Sequence, residues 1–321
     1  MTHARASSSQ LWQLPTRATE HKGRAAEQTE LVSKSSRSCH AGGMADRLLR
    51  ESADRREATA DLPRVEYVET DLARAGSLRE AIERAAPAAI VHCGAMTDVD
   101  ACEADPRQAW TVNVSATAEA AVAARAVGAR LVALSTDYVF DGEAGRSYVE
   151  DDRPNPRGAY ARTKQAAEEA ALLLAADVAV ARVAVVYSAR KGSKPTFAAG
   201  AADALLAGKE VRAFSDQTVS PTLADNAAEM VIGLMQSGEK GVWHCAGASA
   251  VTRLDFARAL ARTLGANEGL VIAVPLSSVA LPAPRPRNSS LRVDKIRRLL
   301  GSAVPLDLDA QLERFARERA R

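Results

Sequence analysis

Tyr160 and Lys164 stand four residues apart in GAYARTK (158–164), so on a helix both project from one face. A free phenol has a pKa of about 10, too high for proton exchange near neutrality. A neighbouring ammonium favours the phenolate and brings that pKa toward the working range. Upstream, LVALSTDYVFDG (131–142) reads as a buried strand ending in Ser135, Thr136 and Asp137. A hydroxyl at that strand end can hold a substrate carbonyl beside the phenol. This is chemistry for moving a hydride to or from a carbonyl, with Tyr160 handling the proton. The spacing alone is weak, because any amphipathic helix can carry Tyr and Lys as a solvated pair.

The elements that must position these groups follow one another from about residue 62. RVEYVETDL (64–72) reads as a strand ending at Asp71–Leu72, SLREAIERAA (77–86) as an amphipathic helix, and AAIVHCGA (88–95) as an apolar run ending in Gly94–Ala95. Continuous apolar runs suit parallel strands covered on both faces. A helix is expected through 111–128, then the strand RLVALST (130–136), the helix bearing Tyr160 and Lys164 after the turn DRPNP (152–156), and a strand over DVAVARVAVVY (177–187). Strand and helix in alternation indicate an α/β, Rossmann-like, doubly wound parallel sheet. Ligands in such sheets bind at the carboxyl ends of the strands. Asp71, Gly94–Ala95 and Ser135–Thr136 all fall at such ends and are expected to share one crevice.

In the distal half, RKGSKP (190–195) reads as a loop and TFAAGAADALLAG (196–208) as a helix. A turn is expected at Ser220–Pro221, then a helix capped by Asp225. GVWHCAG reads as a short strand, followed by a Thr-capped helix over 252–265 and closing helices over DKIRRLL and LDAQLERFARER. These pieces are expected to form a smaller C-terminal substrate lobe. The division expected is 1–60 as an aberrant or disordered segment, 61–190 as the dinucleotide-binding core, and 191–321 as mostly substrate lobe with some core elements.

The 321-residue chain is 47% hydrophobic and 26% charged, a globular profile. Its net charge of +2 gives no reason to expect a nucleic-acid or membrane-surface partner, and 4% aromatics argue against base-stacking platforms. Cys39, Cys93, Cys102 and Cys245 lie far apart without C-x-x-C spacing, although three adjoin a histidine (Cys39–His40, His92–Cys93, His244–Cys245). Without ligand spacing, reduced core thiols beside strand-end histidines are the expectation and a metal site is not. Reduced thiols fit the cytoplasm. No apolar run reaches the roughly 18 residues of a transmembrane helix.

A dinucleotide-binding fold normally opens with an apolar strand and a glycine-rich turn at a helix N-terminus. Residues 1–60 contain no such sequence; Gly42–Gly43 is the only glycine pair and follows no strand-like run. The segment 44–58 reads as a short charged helix and the rest as disordered, with no secretory signal. A missing first strand is expected to leave a sheet edge open and solubility poor. A shifted start or reading frame upstream of about residue 60 would account for the abrupt change in composition.

From about 62 to 320 the chain resembles the extended short-chain dehydrogenases, in particular the dTDP-4-dehydrorhamnose reductase family. The resemblance rests on AMTDVDACE (95–103), Asn113 in VNVSAT, STDYVFDG (135–142), YARTK (160–164), RVAVVY (182–187), DQTVSPTLADN (216–226) and RPRNSSL (285–291). It implies a catalytic triad of Thr136, Tyr160 and Lys164. Thr136 would orient a ketone, Tyr160 donate a proton, and Lys164 lower the Tyr160 pKa and hold the nicotinamide ribose. Asp71 and Leu72 would lie against the adenine, and Gly94, Ala95 and Met96 would line the cofactor path. Asn113 would support the active-site helix. Asp137 would touch the sugar, and Arg285 would approach the nucleotide diphosphate. In the sugar reductases an aromatic residue often precedes the VY of the sixth strand; here Val185 holds that place, so a different sugar is implied. The implied cofactor is NADPH or NADH, the implied partner a nucleotide sugar, and a homodimer remains open. The second reading is a non-catalytic binding subunit resembling the regulatory β subunit of methionine adenosyltransferase, or an inactive relic.

Overall fold

The structure is a computed structural model that describes residues 65–189 and 196–320, and the backbone of two short strands at 11–12 and 30–32. The expectations for Cys39–His40, Gly42–Gly43, the helix over 44–58 and the loop 190–195 lie outside the described residues.

The strands β1 (Leu11–Trp12), β2 (Glu30–Val32) and β3 (Val65–Tyr67) precede helix α1 (Ser77–Ala85). Then come β4 (Ala89–His92), α2 (Val99–Ala104), α3 (Pro106–Trp110), a π-helical turn (Thr111–Ser115) and α4 (Ala116–Val127). β5 (Arg130–Thr136), α5 (Ala159–Leu174) and β6 (Val178–Val183) follow. The distal half holds β7 (Val186–Tyr187), α6 (Phe197–Leu206), β8 (Val211–Phe214), β9 (Thr218–Val219) and β10 (Thr222–Leu223). It continues through α7 (Ala224–Ser237), β11 (Gly241–His244), β12 (Val251–Thr252), α8 (Arg253–Thr263), β13 (Val271–Val274), α9 (Asp294–Leu300) and α10 (Leu308–Arg319).

The main sheet has the order β1-β4-β5-β6-β11, parallel from β4 to β11. Side chains alternate across a strand, and both faces here are apolar. Ile90, Leu131 and Ala133 point into a cluster with Leu78 and Ile82 of α1 and several alanines of α4. Ala89, Val91 and Val132 point the other way, against Met230, Val231 and Leu234 of α7 and Ile296 of α9. Helices on both faces make the sheet doubly wound, as the unbroken apolar runs implied. A third cluster builds the second lobe from α6, β8, α8 and β13, with Tyr187, Leu312 and Phe315 at its centre.

Several local expectations are corrected. The first strand pairs only over Val65–Tyr67, in parallel with β2, and Asp71 lies in the turn beyond it. Leu11–Trp12 runs antiparallel along Val91–His92. The run 177–187 is not one strand. It breaks at Ala184–Val185, where Val185 takes φ +43°, a left-handed conformation uncommon for a β-branched residue. The break lets Val186–Tyr187 leave the main sheet and pair with β10. The helix over 111–128 widens into a π turn around Asn113. α7 begins at Ala224 with Leu223 in the cap position, and Asp225 sits in its first turn.

The two lobes meet at Gly247, whose N–H donates to Thr222 Oγ1 at 3.0 Å. The buried Gln311 side chain accepts from Leu223 N at 2.6 Å and donates to Pro221 O at 3.2 Å. A Cβ on Gly247 would fall inside the contact shells of Pro221 O and Gln311 Nε2. Gly247→Ala is therefore expected to cost about 3 kcal/mol, read as a lowered midpoint in urea unfolding; an unmoved midpoint would contradict this packing.

Candidate active site

Helix α5 enters through Gly158, and its first free N–H, that of Ala159, donates to Glu103 Oε2 at 2.7 Å. A carboxylate at that end also suits the helix dipole. Pro154 and Pro156 precede the helix and keep the chain extended up to it. One turn into the helix, Thr163 is held by the buried Asn113, whose Nδ2 donates to Thr163 Oγ1 at 2.9 Å. The same Asn113 side chain accepts from Met96 N at 2.7 Å and donates to Met96 O at 3.2 Å. Asn113 thus ties α5 to the segment leaving β4. The expected supporting role corresponds to these contacts.

These supports bring Tyr160 to Thr136. Thr136 stands against the Tyr160 phenol, and the Tyr138 ring meets Tyr160 edge-on with centroids 6.1 Å apart. Thr136 Oγ1 also donates to Asp137 Oδ1 at 3.1 Å and accepts from Tyr138 N at 3.2 Å. Asp137 is 2% exposed, and its other oxygen accepts from Ser289 Oγ at 2.5 Å. Burial pushes the Asp137 carboxyl up to about 6, with the Ser289 and Thr136 hydroxyls and the Arg253 guanidinium opposing.

Lys164 is buried and lies on the same helix face, but its Nζ donates to Leu134 O of β5 at 2.7 Å. Burial pulls this ammonium down to about 8. The expectation that Lys164 lowers the Tyr160 pKa is corrected: burial raises the phenol above its ordinary value, and the Thr136 hydrogen bond only partly offsets this. Desolvation of the charged form is the largest influence on the phenol.

Gly94, Ala95 and Met96 follow β4 and are buried beside Asn113. Asp71 Oδ1 accepts from Ala73 N at 2.9 Å, and its carbonyl accepts from Ser77 Oγ, so its turn is fastened to the start of α1. Leu72 is 3% exposed and packs in the core with Leu78 and Ile82. Arg285 is held by Asp100, with Nη2 2.9 Å from Oδ1, and by Ala283 O. Its charge reaches Tyr138, so it stands at the rim of the site with part of its donor fork already used. Val185 lies at the break between β6 and β7.

Three residues unmarked by sequence reasoning join the site from the second lobe. Arg253 donates to Gln217 Oε1 at 3.3 Å, and its charge reaches Tyr138. Ser289 reaches Asp137. Gln217 and Ser289 lie in the stretches 216–226 and 285–291 that carry the family resemblance, whereas nothing local marks Arg253.

The RmlD substrate binding domain family matches residues 40–319. The chain belongs to this family. As a member of the RmlD family it is 37% identical over 222 residues to a dTDP-4-dehydrorhamnose reductase of Mycobacterium tuberculosis, covering 68% of this chain and 72% of the relative. A dTDP-4-dehydrorhamnose reductase of Streptomyces griseus is 35% identical over 257 residues, covering 78% and 83%. A dTDP-4-dehydrorhamnose reductase structure from Clostridium acetobutylicum superposes with a TM-score of 0.73 at 26% identity, covering 85% of this chain and 95% of its own. One from Bacillus anthracis, in complex with NADP, gives 0.73 at 25% identity, covering 82% and 94%. Among the described residues no helix is long and apolar enough to cross a membrane.

Asp137 supplies a test of this geometry. Its folded pKa, raised to about 6, means that the folded state holds the proton more tightly than the unfolded chain. Charging the carboxyl therefore costs stability above pH 6, and the cost vanishes below its unfolded pKa of about 3.9. Asp137→Asn is expected to raise the melting temperature at pH 8, by an amount equivalent to at most about 3 kcal/mol, and to have little effect at pH 4. Thermal melts across that range check it; a difference independent of pH would contradict the buried charge.

Proposed function

We propose that this protein is an NAD(P)H-dependent oxidoreductase that reduces the 4-keto group of a nucleotide-linked 6-deoxy sugar. One observation carries the reading: the Tyr160 phenol lies against the Thr136 hydroxyl at the carboxyl end of β5, in a chain whose relatives are named as reductases of this kind. Tyr160 donates the proton to the developing alkoxide, and Thr136 fixes the ketone oxygen beside it. Asp137 faces the sugar, Val185 lines its pocket, and Arg285 stands toward the nucleotide. The second lobe closes over these strand ends as the substrate-binding part.

The residues present fit a nicotinamide cofactor. Ser135 Oγ and both ring nitrogens of His92, at the carboxyl ends of β5 and β4, are buried with no hydrogen-bond partner among the described residues. Thr70 Oγ1 is unpaired in the same way, beside a cavity of about 230 Å³ lined by Asp71, Arg74 and Ser77. Asp71 and the backbone at Leu72 would meet the adenosine end, Gly94, Ala95 and Met96 the middle, and Lys164 the nicotinamide ribose. When bound, the cofactor supplies the hydride. The NADP complex of the Bacillus anthracis relative makes NADPH the first form to test. The buried thiols of Cys102 and Cys245 suit a reducing compartment and support a cytoplasmic location.

The deciding experiment is titration of the full chain with NADPH and NADH, followed by turnover of a dTDP-linked 4-keto-6-deoxy sugar. Tyr160→Phe is expected to lower kcat by roughly 10²–10⁴-fold while cofactor binding stays unchanged. Retained turnover in that variant would overturn the role of Tyr160. Binding without turnover by the wild-type chain would favour a binding subunit.

A further inference from the structure

Lys164 sits among groups contributed by several elements. His92 and Cys93 come from the end of β4, Cys102 from α2, Tyr160 and Glu168 from α5, and Arg182 from the adjoining β6. Burial keeps His92 neutral, pulling it down to about 3, and pushes the Cys93 thiol up to about 12. Glu168 is thus the carboxylate of this set, one helical turn beyond Lys164 and 5% exposed. Both its oxygens are taken by the Arg182 fork, Nε at 2.9 Å and Nη2 at 2.8 Å, and Arg182 is itself 3% exposed.

A buried ion pair of this kind is weak evidence for stability, since apolar residues of similar volume often serve as well. Its place points to another use. Arg182 pairs across the sheet with Ser135, the neighbour of Thr136, and its guanidinium lies 5.0 Å from the Phe140 ring just beyond Asp137. The fork therefore joins the helix of Tyr160 and Lys164 to the strand end of Thr136. It also fixes a negative charge next to an ammonium that has lost its water.

We propose that Glu168, clamped by Arg182, is the positioning residue that keeps Lys164 charged at the carboxyl end of β5. This rests on reading Lys164 as part of the catalytic set, although the electrostatic half can be measured without turnover. Of the influences that favour the charged ammonium, the Glu168 carboxylate is the largest. Removing it would leave Lys164 and Arg182 as buried cations without a counter-ion.

The test is a pH titration of the cofactor-free full chain carrying 13C-labelled lysine, with the Lys164 Cε signal assigned by its loss in Lys164→Met. In Glu168→Gln the Lys164 midpoint is expected to fall by about one pH unit or more. Should that variant not fold, Glu168→Gln combined with Arg182→Leu removes the pair as a whole. There too the midpoint falls, because the carboxylate one turn along the same helix favours the charged ammonium. A midpoint equal to wild type in a folded variant overturns the proposal. In the reductase assay, the alkaline limb of the kcat profile is expected to move to lower pH with KM for the sugar unchanged. An equal loss of kcat at every pH would show a merely structural pair and overturn it as well. A wild-type chain with no turnover would count against the reductase reading and leave the titration to decide this one.

Discussion

The side-chain amide of Asn113 is the constraint on which the site depends. It satisfies both backbone groups of Met96 and holds Thr163, so a single buried side chain fixes the segment after β4 against the helix that carries Tyr160 and Lys164. An amide can do this because it offers an acceptor and two donors in one plane. Leaving any of these buried groups unpaired would cost on the order of 1–3 kcal/mol, so the arrangement is self-enforcing. The π turn at Thr111–Ser115 is part of the same device. It adds a residue to the helical ladder, as π bulges do at functional sites, and it carries Asn113 between the two elements it joins.

Around that amide, the remaining supports act on one helix. Glu103 holds its entrance, Arg182 grips Glu168 along its length, and Lys164 ties it to Leu134 of β5. Each comes from a different part of the chain. The alanines of α4 and α5 serve the same end, since small side chains let these helices lie close to the sheet and to each other. The high alanine content, uninformative in itself, here brings the phenol within hydrogen-bond reach of Thr136.

What could be read from the sequence was whatever has a short period. Apolar runs such as AIVH and RLVALST announced parallel strands, and the four-residue spacing put Tyr160 and Lys164 on one face. Whatever depends on a distant partner was not legible. Val185 takes a left-handed conformation because Val186 and Tyr187 pair with β10, a preference no local propensity records. Leu72 could have lined a cofactor site or a core, and α1 decided for the core. Arg285 was legible as a cation near the site, but its engagement with Asp100 spans 185 positions. Arg253 and Ser289 meet Tyr138 and Asp137 across the lobe boundary, where sequence distance carries no information.

The largest departure concerns the phenol, and it bears on the direction of the chemistry. Proximity to Lys164 suggested a Tyr160 inclined to ionise, yet burial dominates and holds the proton on the oxygen. A phenol kept protonated through the neutral range is in the form that reduction consumes, although a raised pKa also makes it a weaker acid. Reduction of a ketone needs that acid, because charge develops on the oxygen as hydride arrives and the proton must be within a hydrogen bond of it. Oxidation of an alcohol would need the phenolate, and here that state would have to be formed against the full cost of its burial. As folded, the site holds Tyr160 in its protonated form by desolvation, with the ammonium of Lys164 on the same helix face.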